Sequence, residues 1–404
     1  MKEQIVRQEY ELTCIAPVHT GSGEKRRAFE YLYDNGKNEV AFPNESKWIV
    51  LLAQCGLMDD FAHAIEHGAF REKSLREWLL ANGVKEGALR SIVLRKAATP
   101  DLMTTARGRR SLNDIVCQTT HADGRPYIPG STIKGALRTG LLYGAVRRDP
   151  MRFCSFWARI RAEAGALKDK KKAWSRIIGE LEQTALHTLA LPGAKSSDAV
   201  SSALRGLRVS DAVGTGAMDT IVLQKVDATT KRNKAGKNES RLPLFRECIP
   251  AGRTLRFSIT ADLAMLETAG IMSLDQVMES LRDYTLDGLR LQKQVFLPMN
   301  PRFYQPLFEE AETADMLLGG GTGFLAKTLV YALADSDEEA REFIAAYLDE
   351  AFTERKGGRV EPKHRHKQFD RTLSPRTLKR AVMGQDDWIM GLCALRRVGD
   401  VSAV

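Results

Sequence analysis

Pro126-Tyr127-Ile128-Pro129-Gly130-Ser131-Thr132-Ile133-Lys134-Gly135-Ala136-Leu137-Arg138 is the stretch from which the rest of this chain is read. Its prolines hold a short extended segment, and Gly130-Ser131 then opens a helix with Ile133, Leu137 and Leu141 on one stripe. Ser131 is the expected N-cap. Two readings fit the helix start. In one, unpaired N–H groups and the helix dipole, with Lys134 and Arg138 on a shared face, form a site for phosphate or a nucleic-acid backbone. In the other it is a capped helix after a proline turn. It is not a nucleotide-triphosphate loop, because Lys134 precedes Gly135 instead of following the last glycine.

Working outward, Glu9–Val18 alternates as a strand with Tyr10, Leu12, Cys14 and Ala16 on one face. It runs into the glycine loop His19-Thr20-Gly21-Ser22-Gly23. A second loop, Gly319-Gly320-Gly321-Thr322-Gly323, leads into a helix bearing Lys327. Phe324 stands where a dinucleotide fingerprint needs glycine, so the expected use of this loop is close backbone approach to a ligand or another segment. Ile221–Val226 and Leu242–Cys248 read as arms of a long hairpin around a polar, basic tip, Thr229–Arg241. Helices are expected over most of 44–98, over 152–190, and at 273–284, 287–296, 324–334 and 337–354. The stretch 359–380 is the expected site of partial disorder.

The 404 residues exceed one average domain and hold enough apolar material for a core. The net charge of +9 is local: six basic side chains in 90–110, six in 225–241 and eight in 359–380 leave the remainder acidic. Three such runs point to a polyanionic partner. Six scattered cysteines without a Cys-x-x-Cys pair read as free thiols in a reducing cytoplasm. The N-terminus has no apolar signal core, and no apolar run is long enough for a bilayer, so no membrane association is expected. His63-Ala64-Ile65-Glu66-His67 formally matches an inverted zincin pattern but reads better as a helix terminus. His364 and His366 read as RNA or solvent contacts. His19 is the one histidine considered as a ribonuclease base. No catalytic residue, metal or cofactor is expected.

The 127–138 block resembles the signature of the RAMP superfamily of CRISPR-associated proteins. Pro17–Gly23 resembles the family's loop after its first strand, and Leu318–Phe324 its C-terminal glycine-rich loop. Leu373–Lys379 with Met390–Cys393 is similar to the tail of the fifth-subunit family of type III-A Csm complexes. The resemblance implies an α+β fold: a ferredoxin-like, RNA-recognition-type core over 1–262, with helical insertions at about 44–100 and 150–205 and a β-hairpin thumb at about 217–250. A smaller, degenerate ferredoxin-like lobe over 263–404 would follow. It further implies a non-catalytic subunit that caps the complex at the 3′ end of the CRISPR RNA and supports its maturation in antiviral defence. Implied partners are that RNA, other Csm-type backbone subunits, target RNA indirectly, and host ribonucleases. The enzyme alternative is a metal-independent endoribonuclease. RNA contacts are expected from His19, Gly21, Ser22, Gly23, Gly130, Ser131, Thr132, Lys134, Gly135 and Arg138. Further contacts are expected from Lys225, Lys231, Arg232, Lys234 and Lys237 of the hairpin, and from Gly319, Gly320, Gly321, Thr322, Gly323 and Lys327. No aromatic stacking signature is evident, so the expected grip is on backbone instead of bases.

Overall fold

The computed structural model describes residues 5–71, 73–100, 102, 112–166, 170–216, 218–233 and 236–400. Alternation sets the opening strand, Ile5–Cys14, in which Gln8, Tyr10, Leu12 and Cys14 are buried on one face. It lies at the centre of an antiparallel sheet. The order is Met316–Leu317, Leu392–Asp400, Ile5–Cys14, Thr254–Asp262, Ala212–Gly214 and Tyr127–Ile128, with Leu207–Val209 also on Thr254–Asp262. Two helices cover the buried face, Gly130–Arg148 and Leu274–Phe296. Ile133, Leu137 and Leu141 join Val277 and Leu281 over Tyr10, Leu12 and Phe257 in the main core.

Two glycines let these helices approach. A Cβ at Gly140 would stand 2.6 Å from Leu281 Cα, and one at Gly144 2.6 Å from Ser280 Oγ. The expected helices at 273–284 and 287–296 are one helix of 23 residues, capped by the Ser273 side chain on Gln276 N–H. Packing along its whole length overrides the local weakness at Gly288. The expected helix at 324–334 breaks into a 3-10 turn, Leu325–Lys327, and a single turn, Val330–Leu333.

The second sheet runs Gly21–Arg26, Ile115–Gln118, Glu239–Cys248, Thr220–Thr229, Val93–Ala98, Glu39–Pro43 and Leu32–Asp34. Thr220 and Ile221 pair with Ala97 and Ala98, whereas Gln224–Thr229 pair with Thr377–Val382 along the same edge. Thr220–Thr229 is thus flanked on both sides over most of its length, whereas Glu239–Cys248 has an outer partner only at Phe245 and Arg246. Strands from both sides of residue 262 share both sheets, because Leu392–Asp400 and Thr377–Met383 return to pair with N-terminal strands. The helices between 45 and 92 hold a separate cluster in which Phe61 meets the rings of Trp48, Phe70 and Trp78 at 5.4–5.8 Å. Val93–Ala98, read from sequence as helical, pairs with Glu39–Pro43 instead, since a sheet edge outweighs local propensity.

The 359–380 stretch is ordered, contrary to expectation. Arg359–Pro362 forms a hairpin with Thr353–Lys356, His366–Phe369 is one helical turn, and Thr377–Met383 is a strand. Buried Asp370 organises it, accepting from His366 Nδ1 at 2.8 Å and Ser374 Oγ at 2.6 Å and pairing with Arg376. The positive charge that suggested disorder is partly neutralised inside the fold. Among the described residues, no single helix is long and apolar enough to cross a membrane.

Candidate nucleic-acid interface

Three glycine-bearing blocks far apart in sequence meet at one place. Gly320 N–H donates to the His19 carbonyl at 2.7 Å, Leu318 N–H to the Gly391 carbonyl at 2.8 Å, and Gly391 N–H to the Pro17 carbonyl at 3.1 Å. Glycine is required by space and by conformation. A Cβ at Gly319, whose φ is +87°, would fall 2.1 Å from His19 O. One at Gly391, with φ +88°, would fall 2.4 Å from Thr322 Cγ2. The primary partner of each loop is therefore another loop of the same protein. Of the expected contacts, Gly21, Ser22, Gly23 and Lys327 are exposed, the four glycines of 319–323 are half-buried, and Thr322 is buried.

His19 is 3% exposed, which removes it as an accessible base. Its Nδ1 lies 2.6 Å from the Glu247 carbonyl, so Nδ1 carries the proton and donates. Burial holds its pKa below the ordinary histidine value, and the neighbouring Arg246 adds to that effect. A depressed histidine pKa favours the native state above the unfolded value of about 6.5, and this stability is lost as pH falls through that value toward the folded one. Denaturation midpoints should therefore drop between pH 7.5 and 5. The drop should shrink in His19→Gln, the remaining slope coming in part from His364, whose pKa is held down by partial desolvation and by the neighbouring Lys363 and Arg376.

Beneath His19 lies a buried charge network that sequence reading missed. Glu247, fully buried, accepts from Arg95 Nε at 2.7 Å and Nη2 at 2.9 Å, Gln118 N–H at 3.1 Å and Thr220 Oγ1 at 2.8 Å. Next to it, Arg246 Nη1 is buried without a hydrogen-bond partner among the described residues, and its guanidinium carbon is 3.8 Å from a Cβ built at Gly321. A cationic N–H with no partner beside glycine backbone is a natural seat for an anionic oxygen. Arg246 and Glu247 sit in an ordinary strand pattern, so no local signal marks them.

The helix start at 130 differs from the expectation. Pro129, not Ser131, occupies the N-cap position. The Gly130 N–H is taken by Asp211 Oδ1 at 2.7 Å, so the chain supplies its own anion there. Gly130 is required because a Cβ would stand 2.3 Å from Val209 O. Lys134 Nζ donates to the Leu204 carbonyl at 2.8 Å, and burial pushes its pKa down. Arg138 pairs with Glu182 at 3.3 Å. Ser131 is exposed, while Thr132 and Gly135 are half-buried, with open space where a Gly135 Cβ would lie. The free cations expected on this helix are thus held by carbonyl and carboxylate groups of neighbouring elements.

The hairpin tip keeps its charge exposed. Lys231, Arg232 and Lys237 face solvent, Lys234 lies outside the described residues, and Lys225 is drawn to Asp227 at 3.2 Å. Asp227 also pairs with Lys379 at 2.9 Å. His366, expected as an outer contact, is buried against Asp370, whereas His364 is exposed. The ligand atoms of His63, Glu66 and His67 come within 4.8 Å of one another on an exposed helix end. The His67 ring is turned to its own helix, with Nδ1 2.9 Å from the His63 carbonyl.

The chain is 28% identical over 403 residues to the CRISPR system Cms protein Csm5 of Mycobacterium tuberculosis, covering 96% of each chain. It is 27% identical over 252 residues to the protein of that name from Streptococcus thermophilus, covering 62% of each. Its fold matches a chain of the cryo-EM structure of a Csm–crRNA–target RNA ternary complex in a type III-A CRISPR-Cas system. The TM-score is 0.62 at 15% identity, over 96% of this chain and 100% of that one. It also matches the crystal structure of T. onnurineus Csm5 with a TM-score of 0.56 at 16% identity, over 80% of this chain and 92% of that one. The model of the RAMP superfamily matches residues 11–213, half of the chain and the part that holds the first glycine loop and the 127–138 block; the chain belongs to the RAMP superfamily.

Proposed function

We propose that this protein is a non-catalytic, RNA-binding subunit of a cytoplasmic type III-A Csm complex. In this reading it holds the 3′ region of the CRISPR RNA, closes the backbone of the complex there, and supports RNA maturation and antiviral defence. The observation that carries the reading is the match over 96% of both chains to a curated Csm5. The fold of a chain from a Csm–crRNA–target RNA complex supports it. So does the unpaired Arg246 Nη1 beside the 319–323 loop, which suits a phosphate oxygen without base readout. The antiparallel sheet backed by two helices supports a ferredoxin-like description of the core. Burial of His19 argues against the endoribonuclease alternative.

A capping subunit must bind one neighbour and offer no second copy of that contact, because head-to-tail faces at both ends would let assembly propagate. Complexes purified from cells lacking the protein should carry RNA with heterogeneous 3′ ends and an unchanged 5′ end, read by sequencing of the bound RNA. A uniform, normally trimmed 3′ end, or defects confined to the 5′ end, would refute capping.

A further inference from the structure

Two of the three basic runs, separated by more than a hundred residues, form the walls of one groove. The hairpin tip contributes Lys231 and Arg232, and the C-terminal segment contributes Lys363, His364, Arg376 and Lys379, around a cavity of about 760 Å³. That volume lies in the range of about 300–1,000 Å³ over which clefts enclose small ligands. Not all of this charge is available. Lys379 is paired with Asp227 and Arg376 with Asp370. Lys231, Arg232 and Lys363 are exposed and have no carboxylate partner among the described residues.

The groove is apolar between those cations. Leu242, Phe324, Leu348 and Phe352 line it, and Phe352 is 51% exposed although a free phenyl ring gains by burial. Phe352 stands edge-on to His364, at 6.3 Å between ring centres. At the rim, Phe369 lies beneath both Lys231, at 5.1 Å, and Arg376, at 5.4 Å. A planar apolar surface next to unpaired cations complements a ligand that is itself planar in one part and anionic in the next. An unpaired nucleotide has that form, whereas an acidic peptide would leave the aromatic surface unused.

We propose that this groove accepts an unpaired nucleotide of single-stranded RNA, its base against Phe352 and the flanking phosphates on Lys231, Arg232 and Lys363. The inference rests on the reading of the chain as an RNA-binding subunit and adds to it a place where a base, not only the backbone, is held.

The test uses the full chain and single-stranded oligouridylates carrying one 2-aminopurine moved position by position. One position should change its fluorescence on binding as the base stacks. Phe352→Ala should abolish that change and weaken binding roughly tenfold, while Phe352→Tyr should keep both. The pair Lys231→Glu and Lys363→Glu, on exposed side chains, should weaken binding and lower the slope of log K against log salt by roughly 0.7 for each cation removed. Circular-dichroism melts check that each variant is folded. RNA binding in which the probe responds equally in wild type and Phe352→Ala overturns the groove and leaves the RNA-binding reading standing. Absence of RNA binding by the wild type in this assay overturns both. Displacement of the RNA by polyglutamate at equal charge concentration would also overturn the groove, because it would show an acidic-peptide site.

Discussion

Replacing Glu247 with alanine will lower the stability of the protein by about 3–5 kcal/mol, because it strands a buried charge. Arg95 is held by both carboxylate oxygens, at 2.7 and 2.9 Å, and its guanidinium also lies 4.3 Å from the centre of the Phe42 ring. Without Glu247 the guanidinium would stay in the sheet with its charge uncompensated, and Gln118 N–H and Thr220 Oγ1 would each lose an acceptor. Chemical denaturation should show a lower midpoint with an unchanged slope. The double variant Arg95→Met, Glu247→Leu should recover much of the loss, because the attraction within a buried pair roughly offsets its desolvation. A double variant as unstable as the single one would show that the other partners of Glu247, and not the stranded charge, set the cost.

Substituting Gly319 with alanine should cost about 3 kcal/mol and disconnect the two glycine loops. Two penalties act together, a left-handed backbone conformation that a Cβ disfavours by about 1–2 kcal/mol and overpacking of about 1–3 kcal/mol. Both arise at one atom, since the added methyl would meet His19 O at 2.1 Å with φ at +87°. Relief requires the loop to retreat, which breaks the Gly320 N–H bond to His19 O at 2.7 Å. Limited proteolysis should then cut near residue 320 far faster than in the wild type, and thermal denaturation should report the loss. Gly135→Ala, on the signature helix where nothing stands within 4 Å of the new methyl, is the control and should be neutral or slightly stabilising. Equal loss in both variants would mean that the added side chain, not the close approach, is at fault.

What sequence alone determined about this protein is whatever a short window encodes. The two-residue period placed Tyr10, Leu12 and Cys14 on one buried face, and the stripe of Ile133, Leu137 and Leu141 placed the helix that covers it. The arms read at Ile221–Val226 and Leu242–Cys248 fall within the paired strands Thr220–Thr229 and Glu239–Cys248. The glycine blocks are visible as motifs, and their likeness to the RAMP superfamily is legible in the sequence. Only the tertiary structure decided what those motifs touch. Asp211 on Gly130 N–H, Leu204 on Lys134, and Gly320 on His19 are partners 70 or more residues apart, and no window spans such distances. The same holds for the ordering of 359–380: its excess charge is a local property that argues for solvation. Its answer, Asp370 buried beneath His366, Ser374 and Arg376 with Asp349 behind, exists only once the helix Asp337–Ala351 is packed beside it. Periodicity is written along the chain, whereas burial and charge pairing arise between distant segments, so the elements could be read from sequence and the site could not.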